Sequence, residues 1–120
     1  MTDVVVAFGQ KSDSIAYGRG RTDGMEWAQA KASCQELDQL ADLSRRIGHD
    51  WAAWVQEAGA LALPMAIGTT PEGDTEAAKQ FWLKVAEEDW DLLAEAQFLE
   101  GFVDGALEMY DEISVLLGHA

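Results

Sequence analysis

Hydrophobic residues recur every three to four positions from Phe98 to Leu117, the spacing of an amphipathic α-helix. At about 100° per residue they occupy one arc of about 120°, and the carboxylates fall on the opposite side. This arc is wide enough to pack against two neighbouring helices. Its members are Phe98, Leu99, Phe102, Ala106, Met109, Tyr110, Ile113, Leu116 and Leu117, with Val103 and Leu107 extending it.

The same periodicity predicts four shorter helices before this one. The segment Gly59 to Gly68 reads as a buried connection interrupted by Pro64, and residues 69–74 read as a loop. We expect an all-α fold, a compact bundle of four to five short helices. The predicted helices run from Ser14 to Ala30, from the Ser33-x-x-Glu36 capping box to Ile47, from Trp51 (capped by Asp50) to Ala58, and from Thr75 to about Glu87, with a turn at 87–91 and a break between Asp89 and Gln97.

Two pairs of glycines lie inside predicted helices, each pair four residues apart. The pattern Gly-x-x-Asp-Gly occurs at Gly20 to Gly24 and again at Gly101 to Gly105. Glycine in a helix interior costs about 1 kcal/mol relative to alanine, so such pairs indicate close approach of another backbone. We predict that the first and last helices cross at these four glycines.

Residues 1–13 are predicted to form an extended N-terminal arm, and residues 14–120 a single helical domain. The run from Val4 to Phe8 is β-prone. Because a lone strand is unstable, the arm is either flexible, packed on the domain or paired with another copy of the chain.

The chain has 22 acidic and 8 basic residues and a net charge of −14. Phosphates would be repelled, which argues against direct binding to nucleic acid or to an anionic membrane. A basic protein partner or a cation remains compatible with this charge. The single cysteine, Cys34, excludes an intrachain disulfide and suits a reducing cytosol, and Met1 to Phe8 lacks the features of a signal peptide. We therefore expect a cytoplasmic protein.

Three segments together resemble a group of small bacterial proteins. These proteins pair a G-R-x-D-G-x-x-W-A opening, matched here within Tyr17–Ala28, with an F-L-x-G-F-x-x-G-A-L ending, matched within Phe98–Leu107, and Phe81-Trp82 lies between them. The resemblance implies a helical scaffold whose glycine helices pack together. It implies no chemistry.

Metal ligands are sparse in the sequence. Neither His49 nor His119 follows a glutamate by three residues, the pair that helical di-metal proteins use. Asp23 and Asp104 could bind a hard cation if the glycine crossing brought them together. They could equally cap a helix, pair with an arginine or remain solvated. We expect no metal and no cofactor.

A nucleophile, base and orienting carboxylate could in principle come from Cys34, His49 and Asp50. No local signature supports this arrangement, and the glycines near the N-terminus lack the GxGxxG order of a dinucleotide site. We therefore expect no enzymatic activity.

Trp27 and Trp82 lie on predicted core faces, whereas Trp51, Trp54 and Trp90 have no clear place. An exposed tryptophan among these three would be a candidate interface anchor.

The acidic side of the last helix carries the sharpest functional hypothesis. From its first to its last carboxylate the helix rises about 18 Å, or roughly 4 Å per charge, against about 3.4 Å per charge along one DNA strand. Such a row could imitate DNA and block a basic, nucleic-acid-handling partner, as an anti-defence protein or an immunity-type inhibitor. The row consists of Glu100, Asp104, Glu108, Asp111 and Glu112.

Three alternatives remain open. The acidic faces could be merely solvated. The chain could be a small oligomeric scaffold or regulator, such as a homodimer, held by the glycine crossing and the N-terminal arm. It could also be a metal- or ligand-binding helical enzyme.

Overall fold

A computed structural model describes the backbone of residues 15–116 and their side chains except those of Glu88 and residues 113–116. These residues form an all-α fold without strands, and the helices are more numerous than the four or five predicted. The N-terminal arm and Leu117 lie outside the described residues, as do the side chains of Ile113 and Leu116. The α-helices are α1 (Ile15–Ala30), α2 (Cys34–Arg46), α3 (Trp51–Ala58), α4 (Leu63–Ala66), α5 (Thr75–Val85) and α6 (Ala96–Leu116), and 3₁₀-helices span Ala60–Ala62 and Glu87–Ala94.

Helices α1 and α6 form the most extensive helix–helix contact in the described fold. One face of α1, from Ala16 to Ala28, is buried against one face of α6, from Phe98 to Ala106. Burying each large apolar side chain in such a contact is worth about 1.5–3 kcal/mol. The apolar arc of the last helix therefore builds the core, as its spacing predicted. Its fully buried members are Phe98, Leu99, Phe102, Val103 and Ala106.

All four glycines lie at this contact. A Cβ on Gly20 would lie 2.9 Å from the carbonyl carbon of Phe98, and one on Gly24 would lie 2.8 Å from that of Phe102. The relationship is reciprocal, because a Cβ on Gly101 or Gly105 would meet the backbone of α1 at residues 17 and 21. Only residues without a Cβ allow the two backbones to approach this closely.

Side-chain caps define where three of the helices begin. The capping box at α2 is complete, because Ser33 Oγ accepts a hydrogen bond from the Glu36 N–H at 3.1 Å and Glu36 Oε1 accepts one from the Ser33 N–H at 2.7 Å. Asp50 caps α3 and Asp74 caps α5 through bonds of 3.1 and 3.0 Å to backbone N–H groups. These caps satisfy N–H groups that have no partner within the helix.

Two of the predicted irregular segments are helical. Residues 60–66 form a 3₁₀-turn followed by α4, and Pro64 sits in the first turn of α4, where its missing N–H costs nothing. Helix α5 ends at Val85, and the predicted turn at 87–91 belongs to a 3₁₀-helix that continues to Ala94. The predicted break is present at Glu95, whose backbone is extended with φ −95° and ψ 127°.

An aromatic cluster fills the centre of the fold. Trp82 is fully buried, and its indole Nε1–H donates to the carbonyl of Ala60 at 3.1 Å. Trp27 and Trp51 are also buried, whereas Trp54 and Trp90 are half-buried. No tryptophan is therefore exposed as an interface anchor. Within residues 15–116, no helix has the length and apolarity needed to cross a bilayer.

Candidate functional site

The acidic row of α6 runs beside α1 rather than standing alone in solvent. The glycine contact sets the spacing of the two backbones, so side chains on the flank of α1 reach the carboxylates of α6. Tyr17 Oη donates a hydrogen bond to Asp104 Oδ2 at 2.7 Å. Burial and this bond raise the pKa of Tyr17 to about 12, because both favour the neutral phenol.

Arg21, one turn further along α1, forms an ion pair with Glu108. The hydrogen bond to Glu108 and the charge of that carboxylate raise the pKa of Arg21. Asp111 and Glu112 are exposed beyond this pair. The row is therefore divided: Asp104 and Glu108 bind side chains of α1, whereas the charge of Asp111 and Glu112 faces solvent.

Every arginine of the described chain forms an ion pair. Arg19 Nη1 lies 2.9 Å from Asp89 Oδ1. Asp42 receives both Arg45, at 3.4 Å, and Arg46, at 2.8 Å. Together with Arg21 and Glu108, these pairs occupy the guanidinium groups within the fold. Within residues 15–116, no arginine is therefore left to pair with Asp111 or Glu112.

Asp23 and Asp104 have different partners, so the cation site considered for them does not form. Asp23 lies beside Asp89, which is 8% exposed. Burial, the hydrogen bond to Asp89 and the charge of Asp89 raise the pKa of Asp23 to about 8. A protonated carboxyl group on Asp23 can donate to Asp89, whereas two ionised carboxylates at this spacing would repel each other. In the part of the chain that the structure describes, no group of three or more metal-ligating side chains could hold a metal ion.

Cys34, His49 and Asp50 do not form a catalytic triad. Cys34 is the exposed first residue of α2, and His49 follows the last turn of the same helix. A helix of this length separates them by about 20 Å. His49 Nδ1 is instead 2.7 Å from the Oγ of buried Ser44, and Asp50 caps α3.

Two groups of polar residues come together in the structure without having been predicted from the sequence. Asp89, which was assigned to a turn, is the buried partner of Asp23 and Arg19. Lys31 and Lys84 line one groove between the end of α1 and α5, although they lie 53 positions apart (84 − 31). The only signal for either group was the scarcity of basic residues, since no local motif contains them.

Comparison of the chain with protein-family models, with curated proteins and with solved structures finds no match.

Proposed function

We propose that this protein is a non-enzymatic interaction protein whose acidic surface engages a basic, nucleic-acid-handling partner and competes with DNA for it. The observation that carries the proposal is that all four arginines of the described chain form ion pairs with carboxylates of the same chain. The negative field of a chain of net charge −14 therefore meets no exposed, unpaired guanidinium in residues 15–116.

Rigidity supports the same proposal. Helix α6 packs closely on α1 at the glycine contact, so its carboxylates are presented on a preorganised helix. Preorganised charges lose little conformational freedom on binding, and they speed association with an oppositely charged partner. Asp111 and Glu112 are the exposed part of this display, and Asp104, whose partner Tyr17 is a neutral phenol, adds charge beside them.

The glycine contact gives no comparable support to an oligomeric scaffold. The four glycines are covered by backbone atoms of the same chain. They therefore offer no face to a second copy.

Capture from a lysate of the native host tests the proposal. Immobilised protein is incubated at low salt, and bound proteins are released first by a short DNA duplex and then by a salt step. We expect a basic, nucleic-acid-binding protein to be released by the duplex, because DNA and the acidic surface would occupy the same basic groove. Retention of every captured protein in the presence of saturating duplex would overturn the proposal.

A further inference from the structure

Two cavities lie side by side where the end of α1 meets α5. They have volumes of about 330 and 350 Å³, in the range of small-molecule sites. They share four lining residues, so we treat them as one groove, called the Lys31–Lys84 groove. The shared residues are Trp27, Lys31, Lys84 and Val85.

Lys31 and Lys84 are unusual because they form no ion pair within residues 15–116, in a chain whose net charge is −14. The arginines of the described residues, by contrast, all form ion pairs. The remaining lysine of this region, Lys79, lies on α5 and lines neither cavity. Two of the three unpaired cations in the described chain thus face one groove.

The two halves of the groove differ in charge. The first cavity also contains the carboxyl groups of Asp23, Glu26 and Glu87. The second contains one carboxylate, Glu36, whose Oε1 already accepts the N–H of Ser33 in the capping box. An anion would therefore bind in the second cavity.

Hydroxyl groups in the second cavity lack partners. The Oγ1 atoms of Thr69 and Thr70 are buried and form no hydrogen bond within the described protein. Their backbone N–H groups both donate to the carbonyl of Pro64, at 2.8 and 3.2 Å, which fixes this loop against α4. A buried hydroxyl without a partner costs about 1–3 kcal/mol, so an acceptor bound beside the loop would be stabilised.

Apart from Gln80, the remaining wall of the second cavity is apolar. Phe81 is half-buried and packs edge-on against Trp27, with ring centroids 5.8 Å apart. Val85 lies one turn further along α5. Aromatic and aliphatic walls with a few converging polar groups are typical of sites for small ligands.

We propose that the Lys31–Lys84 groove binds a small oxyanion, a carboxylate or a phosphate monoester, joined to an apolar ring. The lysines would hold the charge and Phe81 would contact the ring. The threonine hydroxyls, which the protein encloses, would rotate towards the oxygen atoms of the anion and donate to them. This site is independent of the acidic surface of α6.

The test titrates 1-naphthoate and 1-naphthyl phosphate into the full chain and follows backbone amide shifts by NMR. The neutral 1-naphthalenemethanol is the matched ligand without charge. We expect saturable shifts at residues 69, 70 and 81, with at least about tenfold weaker binding of the neutral compound. The tighter of the two anions identifies the headgroup.

Variants make the outcome decisive. Lys84→Gln should weaken binding of the anion about tenfold, whereas Lys79→Gln, on the same helix and with the same loss of charge, should leave it unchanged. The Thr69→Val/Thr70→Val variant, checked for an unchanged unfolding midpoint, should also weaken binding. Three results would overturn the proposal: equal effects of the two lysine variants, amide shifts confined to residues outside the groove, or no saturation at millimolar ligand.

Discussion

The backbone carbonyl of Phe102 lies against the Cα of Gly24, at the place where any other residue would carry its Cβ. This contact and its three counterparts set the distance between α1 and α6. That distance in turn lets Tyr17 reach Asp104 and Arg21 reach Glu108. The packing of the fold and the charge distribution of its surface therefore depend on the same four glycines.

The close approach at Gly24 predicts a large cost for the smallest substitution. Gly24→Ala should destabilise the fold by about 3 kcal/mol, because a backbone carbonyl must move. Gly18→Ala is the matched control in the same helix, since a Cβ there meets nothing within 4 Å. This control should be neutral or stabilising by up to about 1 kcal/mol. Urea denaturation of both variants checks the prediction, and equal stabilities would contradict the proposed role of the contact.

The contact between Asp23 and Asp89 predicts a pH-dependent stability. The pKa of Asp23 rises from 3.8 to about 8 in the folded chain, so the folded state binds more protons between these values. Its contribution is complete below pH 3.8 and is lost as the pH rises through about 8. Arg19 and Asp89 face Asp23, together with Glu26 on the same helix.

Asp23→Asn tests this assignment, because its amide can donate to Asp89 at every pH. Denaturation curves from pH 5 to pH 9 should show a smaller loss of stability for the variant than for the native chain. Asp42→Asn serves as a control, since Asp42 lies in an exposed pair with arginines on α2. Parallel pH profiles for Asp23→Asn and the native chain would show that Asp23 does not hold the proton.

The buried hydrogen bond of Trp82 predicts that even an aromatic replacement is costly. Trp82→Phe leaves the carbonyl of Ala60 without its donor and leaves a cavity, for a combined loss of about 2–4 kcal/mol. Trp54→Phe, at a half-buried position, should cost less than about 1.5 kcal/mol. Chemical denaturation distinguishes the two, and similar losses would argue against a special role of the Trp82–Ala60 bond.

Removing Arg21 should strengthen binding to a basic partner. Arg21→Gln frees the carboxylate of Glu108, so affinity for the captured partner should rise roughly two- to fivefold at low salt. Arg45→Gln changes the net charge equally but acts on α2, and it should have a smaller effect. An equal or larger gain for Arg45→Gln would mean that net charge, rather than the row on α6, governs binding.

Local signals predicted much of the fold. The capping box at Ser33 and the Gly-x-x-Asp-Gly pattern each span only a few residues. The structure contains the capped helix and the close backbone approach that they indicate. Local signals could not predict which carboxylates of the acidic row have partners on α1. Tyr17 and Arg21 meet it across 87 positions of sequence, and only the packed fold shows that Asp104 and Glu108 have partners.

The groove and the carboxyl pair have the same origin. Asp23 lies beside Asp89, and Lys31 and Lys84 line one groove, because the end of α1 packs beside α5 and the second 3₁₀-helix. No periodicity in the sequence predicts either arrangement, because each element contributes a single residue to it. The segment around Pro64 was predicted to be irregular for a different reason. Proline disrupts a helix interior, but it is well tolerated in a first turn, where Pro64 lies in α4.

The most direct test of the central proposal compares two charge reversals by the affinity of the captured partner. Asp111→Lys/Glu112→Lys changes the exposed end of the row, and Glu72→Lys/Glu76→Lys changes exposed residues of the 69–74 loop and α5. Both take the net charge from −14 to −10 (−14 + 4). We predict a loss of about tenfold or more for the first variant and less than about threefold for the second. Equal losses would contradict the account, because they would show that the partner responds to total charge and not to the acidic row of α6.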